Sequence, residues 1–187
     1  MVKAWLMDNC LENQYLEHQR SPPVPVTIEE LKSKTGVLYC KIDPDLEKEK
    51  LETLKIDRGY TYEDIIELDP EKLPNFDQAM KKFYEEHIHT DEEIRYILEG
   101  SGYFDVRFPN EDWVRISLEK GDLIVLPAGI YHRFTLDSKK YVRAMRLFIG
   151  EPVWTPYYRP SDEMEIRQNY VKYLEKGFKD VPDLMVA

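Results

Sequence analysis

The chain has 187 residues, 42% of them hydrophobic and 33% charged, and its 26 Lys and Arg against 36 Asp and Glu leave a formal net charge of -10. That length and composition fit one soluble domain with a real core, while the acidic balance excludes a phosphate backbone as main partner, since nucleic acid needs a basic face. No apolar run approaches the ~20 residues that cross a bilayer. The opening MVKAWLMDNCLENQ lacks the layout of a signal peptide, and Cys10 and Cys40, with no CxxC, read as reduced thiols of an intracellular chain.

Residues 1–84 read as short helices and loops. Thr27-Ile28-Glu29-Glu30 is a capping box, with Val26 and Leu31 placed as a hydrophobic staple. The helix it opens should stop by Gly36, where a positive φ is free. Asp45–Ile56, rich in Glu, Lys and Leu, is expected as a second helix. Asn75 is placed to cap a third, with Phe76, Met80 and Phe83 or Tyr84 on one face.

From about Ile88 to Phe148 the hydrophobic period becomes two. Six or so short strands are expected: one around Ile94, Tyr96 and Leu98, a turn at Gly100-Ser101-Gly102, then Tyr103–Phe108, a strand around Val114, Ile116 and Leu118, then Leu123–Leu126, Tyr131–Leu136 and Tyr141–Phe148. Turn signals every 8–12 residues point to an antiparallel sandwich or barrel. After Pro160 the helical pattern returns, with Ser161 as N-cap and Ile166, Tyr170, Leu174 and Phe178 on one face packed on the barrel. The whole reads as a single α+β, mainly β domain over 1–180: the helical N-terminal part, barrel motifs over 85–150, a helical extension over 151–180, and a flexible tail over 181–187. Trp5, Trp113 and Trp154 are expected as packing residues, and His18 as a surface histidine.

Three of the four histidines fall in the β region. His87 and His89 share one face of a strand because side chains alternate, so both rings can reach one ion at about 2 Å. A turn through Thr90-Asp91-Glu92 brings Glu93 back over the same face, and His132 arrives from a later strand past Pro127-Ala128-Gly129. Separately these are weak signals: HxH recurs by chance, a lone histidine is commonly a core residue, and an acidic run is commonly solvated. Their conjunction is specific, because H-x-H-x3-E-x6-G ending on Gly100 and G-x5-P-x-G-x2-H from Gly121 to His132 are the two motifs of a cupin. Three imidazoles and a carboxylate leave two positions open on an octahedral ion, which suits a redox-capable first-row metal taking a bidentate oxygen ligand better than structural zinc. Lys81 and Leu136 stand where a cupin usually has Gly and Asn; neither is a ligand.

The stretches Glu85–Arg107 and Gly121–Phe134 resemble acireductone dioxygenase, a cupin family of methionine salvage, in its eukaryotic type, and the likeness covers most of residues 1–175. It implies a cupin jelly-roll barrel holding one Fe(II) or Ni(II) per chain on His87, His89, Glu93 and His132. The implied substrates are the ene-diol 1,2-dihydroxy-3-keto-5-methylthiopentene and O2. The implied products are formate and 2-keto-4-methylthiobutyrate with iron, and methylthiopropionate, formate and carbon monoxide with nickel. Arg95 lies two residues after Glu93 and so faces inward, and Arg146 lies on the last barrel strand. Both match arginines of the family's site, whose positive charge would compensate an ene-diol dianion. Phe83 and Phe134 match its substrate-flanking aromatics. A monomer in the cytoplasm, open to the nucleus, is expected, and animal members add a membrane-type metalloproteinase tail as protein partner. Two other readings remain at this point: a cupin isomerase or different metal oxygenase, and a non-catalytic, metal-stabilised binding module.

Overall fold

The secondary structure runs β1 (Lys3–Leu6), β2 (Pro25–Val26), α1 (Ile28–Thr35), β3 (Leu38–Lys41), α2 (Lys48–Arg58), β4 (Tyr62–Leu68), α3 (Phe76–Phe83), β5 (His87–Ile88), β6 (Glu93–Arg107), β7 (Trp113–Glu119), β8 (Asp122–Leu126), β9 (His132–Leu136), β10 (Val142–Phe148), β11 (Tyr157–Tyr158) and α4 (Glu165–Lys176). The structure, a computed structural model, describes residues 3–10 and 12–184. The paired strands are antiparallel throughout. One sheet runs β11-β5-β9-β6-β7-β1-β2, the other β4-β10-β6-β8-β3, and together they form the expected jelly-roll barrel.

The spine of both sheets is β6. Sequence pattern suggests two strands broken at Gly100–Gly102; the structure has one strand of 15 residues. Its first half pairs with β8 and β10, its second half with β7 and β9. Gly100 makes the passage feasible. Its φ is +74, and a Cβ there would stand 2.2 Å from the Tyr141 carbonyl oxygen, so only glycine allows β10 to approach this closely. The interior between the sheets is filled by Ile97, Phe104, Ile116, Ile124, Leu136 and Val142. A second apolar cluster joins Leu38, Cys40, Tyr96, Leu123 and Val125 to Leu51 and Leu54 of α2.

The N-terminal part departs from expectation, because its described residues supply four strands as well as helices. β1 pairs with β7, β3 with β8 and β4 with β10. These segments are short, and in β4 the acidic Glu63, Asp64 and Glu67 obscure the alternation; pairing to barrel strands, rather than local propensity, makes them strands. α1 is as expected, with Thr27 Oγ1 accepting from the Glu30 amide at 3.0 Å and Gly36 closing it at φ +75. α2 starts later than its composition suggests, since the Asp43 carboxylate accepts from the Asp45 and Leu46 amides and holds that segment in a turn. Asn75 precedes α3 at φ +57 without a side-chain cap bond.

Ser161 does not cap α4. Its amide donates to the Tyr131 hydroxyl and its hydroxyl to the Tyr158 carbonyl, while Met164 takes the cap position. Tyr170 and Phe178 reach the core and Leu174 packs beside it. His18 is buried at 7% exposure, its ring between the Asp8 carboxylate and the Asn13 carbonyl; the reading of a surface histidine is corrected. Of the tail expected over 181–187, Leu184 instead packs into the second cluster and Asp183 pairs with Lys32; residues 185–187 lie outside the described residues. Cys10 is exposed, Cys40 buried, and both are free. Among the described residues no helix is long and apolar enough to cross a membrane.

Candidate metal centre

Three strands deliver His87, His132 and Glu93 to one point, and His89, expected on the same strand as His87, lies just past the end of β5. His87 of β5 lies directly opposite His132 of β9, and His132 in turn faces Val106 of β6. Glu93 opens β6. The Pro127–Gly129 turn places β9: the Gly129 amide donates to the His89 carbonyl at 3.0 Å, and its φ of +81 sets the chain so close to α4 that a Cβ would lie 2.6 Å from the Ile166 oxygen. The potential ligand atoms of His87, His89, Glu93 and His132 all lie within 4.8 Å of one another.

Each imidazole is oriented by a backbone carbonyl. Nδ1 of His87 faces the Glu85 oxygen at 2.7 Å, that of His132 the Ile130 oxygen at 2.9 Å, and that of His89 the Thr155 oxygen at 3.0 Å. Carbonyls only accept, so each Nδ1 carries the proton and each Nε2 keeps its lone pair. Those lone pairs converge. Nε2 of both His89 and His132 lies 3.1 Å from Glu93 Oε2. Three neutral nitrogens and one carboxylate oxygen, buried or nearly so and with tautomers set from outside, fit one divalent first-row ion. The His/Glu cluster is thus a site for a single metal ion.

The electrostatics distinguish His87 from His89. Burial, then the neighbouring His132 ring, pushes the His87 pKa down to about 4, leaving a neutral donor at pH 7. Burial by itself would lift Glu93, but Arg95 and the two histidines overcome it and hold its carboxyl well below the usual range. Burial also lowers His89, yet contact with Glu93 wins and its pKa is raised overall. His87 and His89 thus shift oppositely because, of these two, His89 contacts the Glu93 carboxylate and His87 does not.

Behind Glu93 a small cavity of about 80 Å³ has a charged end formed by Glu93, Arg95 and Arg146 and an apolar end that includes Phe83, Phe104 and Phe134. Every residue singled out from the sequence therefore meets the cluster or this cavity. Arg95 Nη2 is 3.2 Å from Glu93 Oε1, and the Phe134 ring lies between Phe83 at 6.4 Å and Phe104 at 5.0 Å. Three residues were missed. Phe104 is directly opposite Phe134 in the β6–β9 ladder, a pairing that needs the register. Asp64 of β4 holds Arg146 through two bonds of 2.7 Å. Trp154, expected as packing, is 39% exposed and lies over the Arg146 guanidinium at 3.6 Å.

Comparison with known proteins agrees. The ARD/ARD' family model matches residues 3–156. A Branchiostoma floridae acireductone dioxygenase is 57% identical over 92% of this chain and 97% of its own length, and a Rattus norvegicus one is 55% identical over 94% and 98%. Among solved structures, an acireductone dioxygenase from Bacillus anthracis, with a cadmium ion in its active centre, superposes with a TM-score of 0.66 at 26% identity, covering 84% of this chain and 98% of that one.

Proposed function

The chain belongs to the ARD/ARD' family, the acireductone dioxygenases, and we propose that it cleaves 1,2-dihydroxy-3-keto-5-methylthiopentene with O2 in methionine salvage. That it is a metal-dependent dioxygenase follows from the family and sets aside the isomerase and binding-module readings. The observation that carries the substrate is the cavity, which begins at the metal cluster with two arginines and ends in phenylalanines: it is charged where an ene-diolate would sit and apolar where a methylthioethyl chain would extend.

His87, His89, Glu93 and His132 would hold Fe(II) or Ni(II), which when bound supplies Lewis acidity favouring the deprotonated ene-diol. Arg95 and Arg146 place positive charge beside the anion in a site of low dielectric, where fixed charges act more strongly than in water. Phe83, Phe104 and Phe134 pack the far end and exclude water. The substrate is itself acidic, so no protein base is required. With iron the expected products are formate and 2-keto-4-methylthiobutyrate; with nickel, methylthiopropionate, formate and carbon monoxide. Both oxygen atoms are retained in either set.

The test is anaerobic reconstitution with Fe(II) and, separately, Ni(II), followed by oxygen uptake and headspace carbon monoxide on the acireductone. Oxygen consumption with both metals, and carbon monoxide with nickel alone, supports the proposal. One equivalent of bound metal without oxygen uptake above autoxidation overturns it.

A further inference from the structure

The cavity's charged end contains an arrangement that costs stability on its own. Arg95 of β6 and Arg146 of β10 lie directly opposite each other in the β6–β10 ladder, and like charges in that relation repel. Across the next ladder Arg146 lies opposite Asp64 of β4. The Asp64 oxygens accept from Arg146 Nε and Nη2, each at 2.7 Å, and Tyr62 donates to the second of them at 3.1 Å. Trp154 covers a face of the guanidinium and is buttressed edge-on by Phe148 at 4.5 Å. Among the described residues Nη1 has no hydrogen-bond partner, and Arg146 lines the cavity. Asp64 is held ionised, since its bonds to Arg146 lower its pKa.

We infer that Asp64 is the positioning residue for Arg146: by occupying the Nε–Nη2 edge it leaves Nη1 as the donor available to an anion in the cavity. This rests on the proposal that Arg146 binds the substrate anion. A bidentate fork fixes the guanidinium plane as one bond cannot, and Trp154 restrains rotation about that edge. The alternative is that Asp64 merely neutralises charge, and the two readings predict opposite signs. Asp64→Asn removes a negative charge near an anion site, so a purely electrostatic role would tighten anion binding. Loss of the fork loosens Arg146 and weakens it.

The experiment measures oxalate, a small dianion, binding to the nickel-loaded protein by calorimetry, together with KM and kcat for the acireductone. Asp64→Asn is expected to weaken oxalate about tenfold, the lower end of what lost outer partners cost at metal sites. KM should rise in parallel while kcat and metal content hold. Asp64→Glu, which can still form a fork, should recover most of the loss. In an Arg146→Ala background Asp64→Asn should have no further effect. Unchanged or tighter oxalate binding in Asp64→Asn overturns the inference, as does a Glu variant no better than Asn, or a wild type that binds no oxalate. Weakened oxalate in a protein that does not turn over acireductone leaves Asp64 in its role and overturns the substrate instead. Arg146→Ala with unchanged KM removes the premise and the inference with it.

Discussion

Asp105 tests the frame that carries His132. It lies in β6 between Arg115 of β7 and Arg133 of β9, opposite each in its ladder. Its oxygens accept from Arg115 Nε at 2.7 Å, Arg115 Nη2 at 2.8 Å and Arg133 Nε at 2.8 Å. Asp105 and Arg115 are 0% exposed, and Arg133 is 9%. At an effective dielectric of about 20, each ion pair attracts by about 4 kcal/mol, or about 8 for two. Desolvating the carboxylate offsets several kcal/mol of that. Asp105→Asn removes the anion but leaves two arginines inside, for a net loss of about 3–5 kcal/mol. For a domain of this size that lowers Tm by about 6–20 °C. Urea unfolding with an unchanged m-value, alongside calorimetry, measures it. A loss below about 1 kcal/mol refutes the uncompensated-charge argument. Because Arg133 follows His132, a metal titration on the same variant reports whether the β9 register survives.

The remaining predictions concern the centre and its supports. His132→Ala should stay folded yet bind no stoichiometric metal; a chelator should lower the wild-type Tm by removing the linkage free energy, about 2.7 kcal/mol at a metal concentration of one hundred times Kd, and leave the variant unmoved. An equal chelator response in both proteins would place the metal elsewhere. Gly129→Ala forces a left-handed φ costing about 1–2 kcal/mol and drives a methyl into the Ile166 oxygen, so Tm and metal affinity should fall together; unchanged metal affinity removes the turn from the site's support. Glu86 is clamped by Arg107 at 2.8 and 2.9 Å and by Arg159 at 2.8 Å; burial would raise its pKa, but these arginines lower it from 4.5. A depressed folded pKa gives stability that is full above the unfolded value and lost as pH falls through the folded one. The stability gap between wild type and Glu86→Gln should therefore be widest above about pH 5 and close toward acid; a gap that widens in acid contradicts the sign.

The metal donors were legible because the cupin motifs bind the ligand spacing to local geometry. A spacing of two keeps His87 and His89 together although β5 ends at Ile88, and glycines at 100 and 129 mark two of the places where backbone approaches backbone. Arg95 followed from the same alternation, two residues beyond Glu93. The capping box at Thr27 was equally local. What sequence could not reach was everything set by pairing between distant segments. β1, β3 and β4 are strands because barrel edges offer them partners, not because their own residues alternate well. The unbroken course of β6 through Gly100 depends on Tyr141, more than forty residues on. Asp64 and Trp154 belong to the site only through Arg146, which stands between them across a ladder and a loop; in the chain, one is an acid in an acidic segment and the other an aromatic after the barrel. The identity of the donors is thus a property of short-range spacing, whereas the orientation of the donors and of the arginines comes from contacts that exist only once the two sheets have closed.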